Sequence, residues 1–315
     1  MKLKNYWIRF LLVAIFFFAM YLSSKGQEVI KSELDDYMHR VATEAGRSKT
    51  PEILMKNEHP EEMLNFLIDY TEDSSASVRK ESYYIMHKIA KNYPEITKPV
   101  LVNLVKGIDD EESFMAGVIV RYLRHYKKSD FPTEAKDTLS AMLERETYNY
   151  KNVVKIAGFV EPNNAERILK NKIRHETYPN ASFKLVMYFA LCRMGDEEGL
   201  SFCINLLEQA PVNDKFIYNV APDFIYTRQK SIIDYFIEIV NSDEKNCTSP
   251  NPELDREISC GYRVLELLAP VIKDFPLKVD SFGELKTDNY REALKTARAW
   301  FAEHKDDYLL KKNIY

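Results

Sequence analysis

Residues 60–91 read PEEMLNFLIDYTEDSSASVRKESYYIMHKIAK and carry the strongest indication of the fold. Pro60 to Tyr70 carries apolar side chains at helical spacing, and Ser77 to Lys91 carries a second stripe of the same kind. The polar run from Asp73 to Ser77 lies between them and is typical of a tight turn. Because neither helix could bury its stripe alone, the stretch predicts a helix pair that stacks on neighbouring pairs.

The same unit recurs every 35 to 40 residues along the chain. The predicted pairs are 60–70 with 77–91, 95–107 with 112–126, 133–145 with 149–160, 165–174 with 181–194, 197–209 with 213–226, and 229–241 with 254–271. One helix that ends near Gly46 precedes them, and a final helix over 289–305 follows. Pro222 is expected to bend or shorten the second helix of the fifth pair. The sequence therefore predicts an all-α fold.

The turns of this pattern resemble those of a known repeat family. Asp73-Ser-Ser-Ala-Ser-Val78-Arg79, followed by a helix that ends at Ile89-Ala90, is similar to the turn between the two helices of a HEAT repeat. The run Leu191 to Leu200 resembles the junction between consecutive HEAT-like units, while the third and sixth pairs depart from the pattern. The resemblance covers about residues 60–270.

That resemblance implies a right-handed α-α superhelix, or solenoid, of about six HEAT-like helix pairs over residues 59–272. Residues 27–58 would form an N-terminal capping helix region, and residues 273–315 would carry a C-terminal capping helix. It also implies that Asp73 and Arg79 join neighbouring turns through a ladder of polar contacts. HEAT-like solenoids generally act as binding scaffolds.

The N-terminus has the features of an export signal. Lys2, Lys4 and Arg9 precede an unbroken apolar run of 13 residues from Phe10 to Leu22, and small residues then favour a cut between Gly26 and Gln27. About 20 apolar residues are needed to span a bilayer, so the alternative of an uncleaved anchor is less favoured. We expect a cleaved signal peptide over 1–26, a periplasmic or secreted chain, and membrane contact only through this segment before cleavage.

The charge balance argues against a nucleic-acid partner. Cleavage removes four of the 44 basic side chains and leaves 40 against 48 acidic ones, a formal charge of −8. Proteins that bind DNA or RNA usually present a basic surface, because phosphate neutralisation dominates their affinity. The acidic balance and the expected export therefore exclude that class.

The chain has four cysteines, which is an even number, and the expected compartment permits disulfides. Cys247 and Cys260 bracket a proline-containing loop, and we expect a disulfide between them. Cys192 and Cys203 flank the turn Arg193 to Gly199. They are either a second disulfide across a helix pair or two small, buried apolar residues.

No motif indicates catalysis or a cofactor. The six histidines are scattered without metal-ligand spacing, and the donors around Glu58 and His59 fit a helix start with acidic residues near its N-terminus. The chain has neither a glycine-rich phosphate loop nor a Gly-x-Ser-x-Gly elbow. We therefore expect no catalytic residue, no metal site and no cofactor.

The remaining place for a site is the row of second helices, which line the concave face of HEAT-like solenoids. Tyrosine and arginine are enriched at binding hot spots, although tyrosines at helical spacing also fit a core. The candidate partner-binding residues are Tyr84, Lys88, Arg121, Arg124, Lys184, Tyr188, Tyr218 and Tyr226.

These features predict a non-enzymatic exported scaffold that binds a protein or peptide of the cell envelope on its concave face. Two alternatives remain open. An envelope enzyme, such as a glycan-directed hydrolase, would need two carboxylates facing each other across the groove. A carbohydrate-binding protein would use exposed tyrosines. The sequence does not indicate an oligomeric state.

Overall fold

The computed structural model describes residues 28–44, 49–145, 147–175, 181–249, 256–280 and 283–315. Across these residues the chain is all-α, with sixteen α-helices and two strands of two residues each. The expected signal peptide over 1–26 and the predicted helix end near Gly46 lie outside the described residues. None of the described helices is long and apolar enough to cross a membrane.

The chain divides into two compact units, of which unit 1 ends at Leu123. Its α-helices are α1 (28–43), α2 (Glu52–Met55), α3 (Pro60–Asp69), α4 (Ala76–Asn92), α5 (Thr97–Lys106) and α6 (Ser113–Leu123). Short 3₁₀ helices cover Tyr70–Glu72, Pro94–Ile96 and Gly107–Asp109. The first two predicted pairs are confirmed as helices, with ends within three residues of the predicted ones.

A buried ion pair joins two turns of unit 1. Arg79, in the first turn of α4, donates to both carboxylate oxygens of Asp110, each at 2.8 Å, and to the main-chain oxygens of Asp73 and Ser74. The two side chains are only 7% and 6% exposed. Burial opposes ionisation of Asp110, yet the hydrogen bonds from Arg79 hold the pKa of that carboxyl below its ordinary value. Arg79 therefore bridges turns, the structural role expected of it.

Unit 2 comprises Arg124–Tyr315. Its α-helices are α7 (Thr133–Glu144), α8 (Tyr150–Val160), α9 (Ala165–His175), α10 (Ala181–Met194), α11 (Glu197–Gln209), α12 (Asp214–Asn219), α13 (Ala221–Tyr226), α14 (Lys230–Asn241), α15 (Gly261–Leu268) and α16 (Tyr290–His304). A 3₁₀ helix covers Lys128–Asp130, and the strands are β1 (Cys247–Thr248) and β2 (Glu257–Ile258).

Two predicted helices of unit 2 differ in the structure. The second helix of the fifth pair breaks at Val220 into α12 and α13, which confirms the expected effect of Pro222, because this residue, in the first turn of α13, has no amide hydrogen to continue a helix. The second helix of the sixth pair begins at Gly261 rather than at residue 254, because Glu257–Ile258 pairs antiparallel with Cys247–Thr248. Residues 176–180, between the two helices of the fourth pair, lie outside the described residues.

Gly158 lets the helices α8 and α10 pack very closely in the core of unit 2. A Cβ atom at Gly158 in α8 would lie 2.5 Å from Tyr226 Oη and 2.8 Å from the Cα atom of Ala190 in α10. Any larger residue would force the two helices apart, so glycine at 158 sets their separation. Tyr226 Oη donates to the main-chain oxygen of Lys155 at 2.6 Å.

The segment after α16 returns along unit 2. Leu310 forms a bridge with Ile272, and Asn313 accepts a main-chain hydrogen bond from Lys128 at 3.1 Å. The ring of Tyr315 packs against Phe159 and Tyr226, with ring centroids 5.6 and 5.4 Å apart. The segment thus closes over the core between α8 and α13.

Two buried guanidinium groups hold this segment through main-chain oxygens. Arg193, 7% exposed, donates to Tyr226, Lys312 and Ile314. Arg228, 6% exposed, donates to Ile225 and Tyr315. Burial lowers the pKa of Arg193 and lowers that of Arg228 to about 9, because desolvation disfavours the charged form.

Candidate functional site: a cationic cleft beside the disulfide hairpin

Unit 2 contains a cleft of about 1030 Å³, which we call the hairpin cleft. It lies between the β1–β2 hairpin, the end of α12, the helix α15 and the start of α16. Its lining residues are Tyr218, Asp243, Lys245, Ser249, Arg256, Glu257, Ile258, Ser259, Tyr262, Arg263, Glu266, Tyr290, Arg291, Leu294, Lys295 and Arg298. Residues 250–255, between the two strands, lie outside the described residues.

A disulfide and a close helix contact build the hairpin wall. Cys247 and Cys260 are bonded, with their Cα atoms 5.1 Å apart, so the predicted disulfide is confirmed. A Cβ atom at Gly261 would lie 3.2 Å from the main-chain oxygen of Ile239, which lets α15 begin directly against the end of α14. Ser259 Oγ donates to the main-chain oxygen of Ser242 at 3.2 Å. These contacts fix the base of the hairpin to α14 and α15.

Arg263 ties the hairpin to α12 and α15. Its guanidinium lies 3.3 Å from Asp214 and donates to the main-chain oxygen of Thr248 at 2.8 Å. The same group stacks over the ring of Tyr218, 4.5 Å from the centroid. Asp214 also accepts a hydrogen bond from the Thr248 amide at 2.8 Å. The charge of Arg263 is therefore largely occupied inside the protein.

Arg298 connects the two helices α16 and α14 on another side of the cleft. It donates to the main-chain oxygens of Val240 and Ser242 and to the carboxylate of Asp243, each at 2.8 Å. All three acceptors lie at or just after the end of α14. Arg298 thus joins α16 to α14 and neutralises Asp243.

Three other cations of the cleft are exposed and have no carboxylate at ion-pair distance within the described part of the chain, namely Lys245, Arg256 and Arg291. The lining holds six basic and three acidic side chains. Arg263 and Lys295 are paired with Asp214 and Glu292, which lie outside the lining, so the formal excess is +1, whereas the chain as a whole has a formal charge of −4. The cleft is therefore a positive region on an acidic protein, suited to an anionic ligand.

Three tyrosines add aromatic surface. Tyr218 is 57% and Tyr290 39% exposed, and both are among the large hydrophobic side chains that remain accessible; Tyr262 is half-buried. Tyr290 Oη donates to Glu266 at 2.6 Å, and this hydrogen bond, with burial, raises the pKa of Tyr290 to about 12. This hydrogen bond links Tyr290, on α16, to Glu266, on α15, across the lining of the cleft.

The structure places the sequence-predicted partner residues in several different environments. In unit 1, Lys88 lies over the ring of Tyr84 at 5.3 Å, and Arg121 is exposed. Tyr218 lies in the hairpin cleft. Tyr226 is only 6% exposed and packs in the core, so its assignment to a binding surface is corrected.

The other three predicted residues lie in unit 2 outside the cleft lining. Tyr188 stacks on Phe202 with ring centroids 3.8 Å apart, and Arg124 stacks over Tyr315 at 4.7 Å. Lys184 is half-buried on α10. Of the predicted set, Tyr218 alone lines the cleft.

The remaining cysteines and the histidines form no site in the described residues. Cys192 and Cys203 are free thiols with no exposed surface, which matches the alternative of small buried apolar residues rather than a second disulfide. No group of three His, Cys, Asp or Glu side chains in the described ranges could hold a metal ion. At the Glu58–His59 cluster, the His59 amide donates to Asn57 at 2.8 Å.

Sequence reasoning missed Lys245, Arg256, Arg263 and Arg291. A usable signal was present, because the predicted sixth helix pair loses the HEAT-like pattern where a loop with two cysteines is inserted. Lys245 on one side of that loop, and Arg256 and Arg263 on the other, could have been read from the sequence as a basic cluster. In comparisons with known proteins, no family model matches the chain, and no curated protein or solved structure gives a significant match.

Proposed function

We propose that this chain is a non-enzymatic, exported binding protein that holds a protein or peptide of the cell envelope in its hairpin cleft. The observation that carries the proposal is one cleft in which three cations, without an ion-pair partner among the described residues, lie beside exposed tyrosines. Aromatic residues and arginine dominate binding energy at protein interfaces. The proposal keeps the right-handed stacking of HEAT-like pairs as the scaffold and moves the binding surface from the second helices to the cleft.

Internal contacts in the cleft favour binding over hydrolysis. A glycosidase needs one carboxyl group free to protonate the leaving group and a second free to act as base or nucleophile. Asp243 is paired with Arg298, and Glu266 accepts the hydroxyl of Tyr290. Two of the three carboxylates of the lining are therefore engaged in holding the walls.

Capture from the envelope extract of the source cell tests the proposal. Wild type is compared with a cleft variant, Lys245→Glu/Arg256→Glu/Arg291→Glu, and with a control variant, Lys151→Glu/Arg167→Glu/Lys305→Glu. The control residues are exposed, lie in unit 2 and are not part of the lining, and the two variants have the same net charge. Lys305 lies about 20 Å along α16 from Arg291, given 1.5 Å per residue.

We expect wild type and control to crosslink to the same envelope protein through cleft residues, as mapped by mass spectrometry, and the cleft variant to lose those crosslinks. Equal capture by the cleft variant would contradict the proposal. If wild type hydrolyses an envelope glycan and Glu266→Gln does not, the proposal of a non-enzymatic protein is wrong and the alternative of an envelope enzyme is supported. Capture of an envelope glycan without turnover would replace it with carbohydrate recognition.

A further inference from the structure

We infer that the ligand of the hairpin cleft is an acidic peptide segment with carboxylates spaced between apolar or aromatic side chains. The inference rests on the proposed function and deepens it, because it names the chemistry of the partner. It follows from three properties of the cleft, namely the distribution of its charge, the rigidity of its walls and the position of its apolar surface.

Charge gives the first argument. Lys245 lies just before the first strand of the hairpin, Arg256 just before the second, and Arg291 in the first turn of α16, so these cations are divided between two walls of the cleft. Each can meet a different carboxylate of an extended ligand. Complementary charges of this kind accelerate association and select the partner.

The acidic residues of the lining narrow the class of anion. Glu257 is the neighbour of Arg256 in sequence, and Glu266 and Asp243 also line the cleft. A polymer with a negative charge on every unit, such as a nucleic acid or a heavily sulfated glycan, would place charges against these carboxylates. A peptide can place neutral residues there and carboxylates opposite the cations, so discrete charges fit the lining better.

Rigidity gives the second argument. Arg263 and Arg298 together make ion pairs or hydrogen bonds to α12, the hairpin and the end of α14, and the disulfide closes the base of the hairpin. None of these groups has to be ordered when a ligand binds. Preorganised sites bind more tightly because less conformational entropy is lost.

The apolar surface gives the third argument. Ile258 is half-buried and Leu294 is 5% exposed, and both line the cleft together with Tyr218, Tyr262 and Tyr290. Tyrosine rings offer a large contact area with a polar tip, which suits an aliphatic or aromatic side chain between two carboxylates. The volume of about 1030 Å³ lies at the upper end of the roughly 300–1,000 Å³ typical of small-ligand sites, which leaves room for several residues.

Fluorescence anisotropy with synthetic probes tests this inference on the purified full chain. The first probe is a labelled dodecapeptide in which glutamate pairs alternate with leucine or tyrosine, and the second is the same peptide with glutamine for every glutamate. A galacturonate oligosaccharide and a single-stranded DNA of similar length represent the other polyanions. Wild type, the cleft variant and the control variant are each titrated with all four probes.

We expect the acidic peptide to bind wild type and the control with affinities within about twofold. We expect the glutamine peptide to bind at least about tenfold more weakly, which corresponds to one desolvated charge pair of about 1.4 kcal/mol. The cleft variant should weaken the acidic peptide by about a hundredfold or more, and added salt should weaken it in wild type.

Equal binding of the glutamine peptide, or tighter binding of the oligosaccharide or the DNA, would overturn the inference. The failure of the proposed function has a separate signature. If capture from envelope extract depends on the cleft but the acidic peptide does not bind, the site stands and the acidic-peptide chemistry is wrong. If capture is independent of the cleft, the proposed function itself is wrong.

Discussion

Arg193→Met tests whether the buried guanidinium holds the returning segment in place. Arg193 donates to three main-chain oxygens, of Tyr226, Lys312 and Ile314. The acceptor on Tyr226 is fully buried, and leaving it without a donor costs about 1–3 kcal/mol. The acceptors on Lys312 and Ile314 are only partly buried, so water can replace the donor at about 0.5–1 kcal/mol each.

Together these losses come to about 2–5 kcal/mol. Methionine offsets part of them, because it removes the cost of burying a charge, and we therefore expect a net loss of about 3 kcal/mol in the free energy of unfolding of unit 2. For a unit of this size that corresponds to a fall in Tm of roughly 6–12 °C. The assay is urea unfolding followed by circular dichroism, with thermal unfolding as a second readout.

Arg174→Met is the matched control, because it makes the same substitution in the same unit. Arg174 and its ion-pair partner Glu198 are 58% and 48% exposed, so we expect at most about 1 kcal/mol. Hydrogen exchange should also rise over residues 308–315 in Arg193→Met and stay unchanged in Arg174→Met. Indistinguishable stability of the two variants would refute the role assigned to Arg193.

Three further predictions concern the disulfide, a glycine and the tyrosines. Cys247→Ser/Cys260→Ser should lower the unfolding free energy by about 3 kcal/mol, since the bond closes a loop with a sequence separation of 13, and reductant should destabilise wild type but not this variant in urea titrations. Gly158→Ala should destabilise by about 1–3 kcal/mol through its clash with Tyr226, whereas Gly117→Ala, where nothing lies within 4 Å, should be neutral or slightly stabilising; the reverse order of the two midpoints would contradict the packing. Burial is the largest cause that raises the pKa of Tyr37, Tyr83 and Tyr122 to about 12. Their contribution to the free energy of unfolding should therefore be complete below pH ~10 and lost as the pH rises through 12, as measured by tyrosinate absorbance and by unfolding at each pH. Ionisation with ordinary tyrosine pKa values in the folded chain would be inconsistent with their burial.

The helices were predictable because their signal is local. Met63, Leu64 and Leu67 on α3 recur at helical spacing, and all three are buried. The turn residue Arg79 was likewise assigned a bridging role, and it pairs with Asp110. Periodicity and turn chemistry depend on neighbours in sequence, so a single chain reveals them.

The hairpin and the cleft were not predictable in the same way. β1 and β2 are two residues each, too short for any alternating pattern, and they pair beside the Cys247–Cys260 bond. Tyr226 followed the spacing of a surface tyrosine but lies in the core, where it contacts Lys155 and Tyr315, residues distant from it in sequence. The cleft brings α12, α15 and α16 together, and contacts between distant segments leave no periodic trace in the sequence.

Hydrogen exchange of the chain with and without its captured envelope partner would show whether the hairpin cleft is the binding surface. Protection should appear in peptides covering 242–249, 256–266 and 290–298, and it should be absent in Lys245→Glu/Arg256→Glu/Arg291→Glu. Protection confined to peptides around Tyr84, Arg121 or Tyr188, with the cleft peptides unchanged, would contradict the claim and return the binding surface to the second helices.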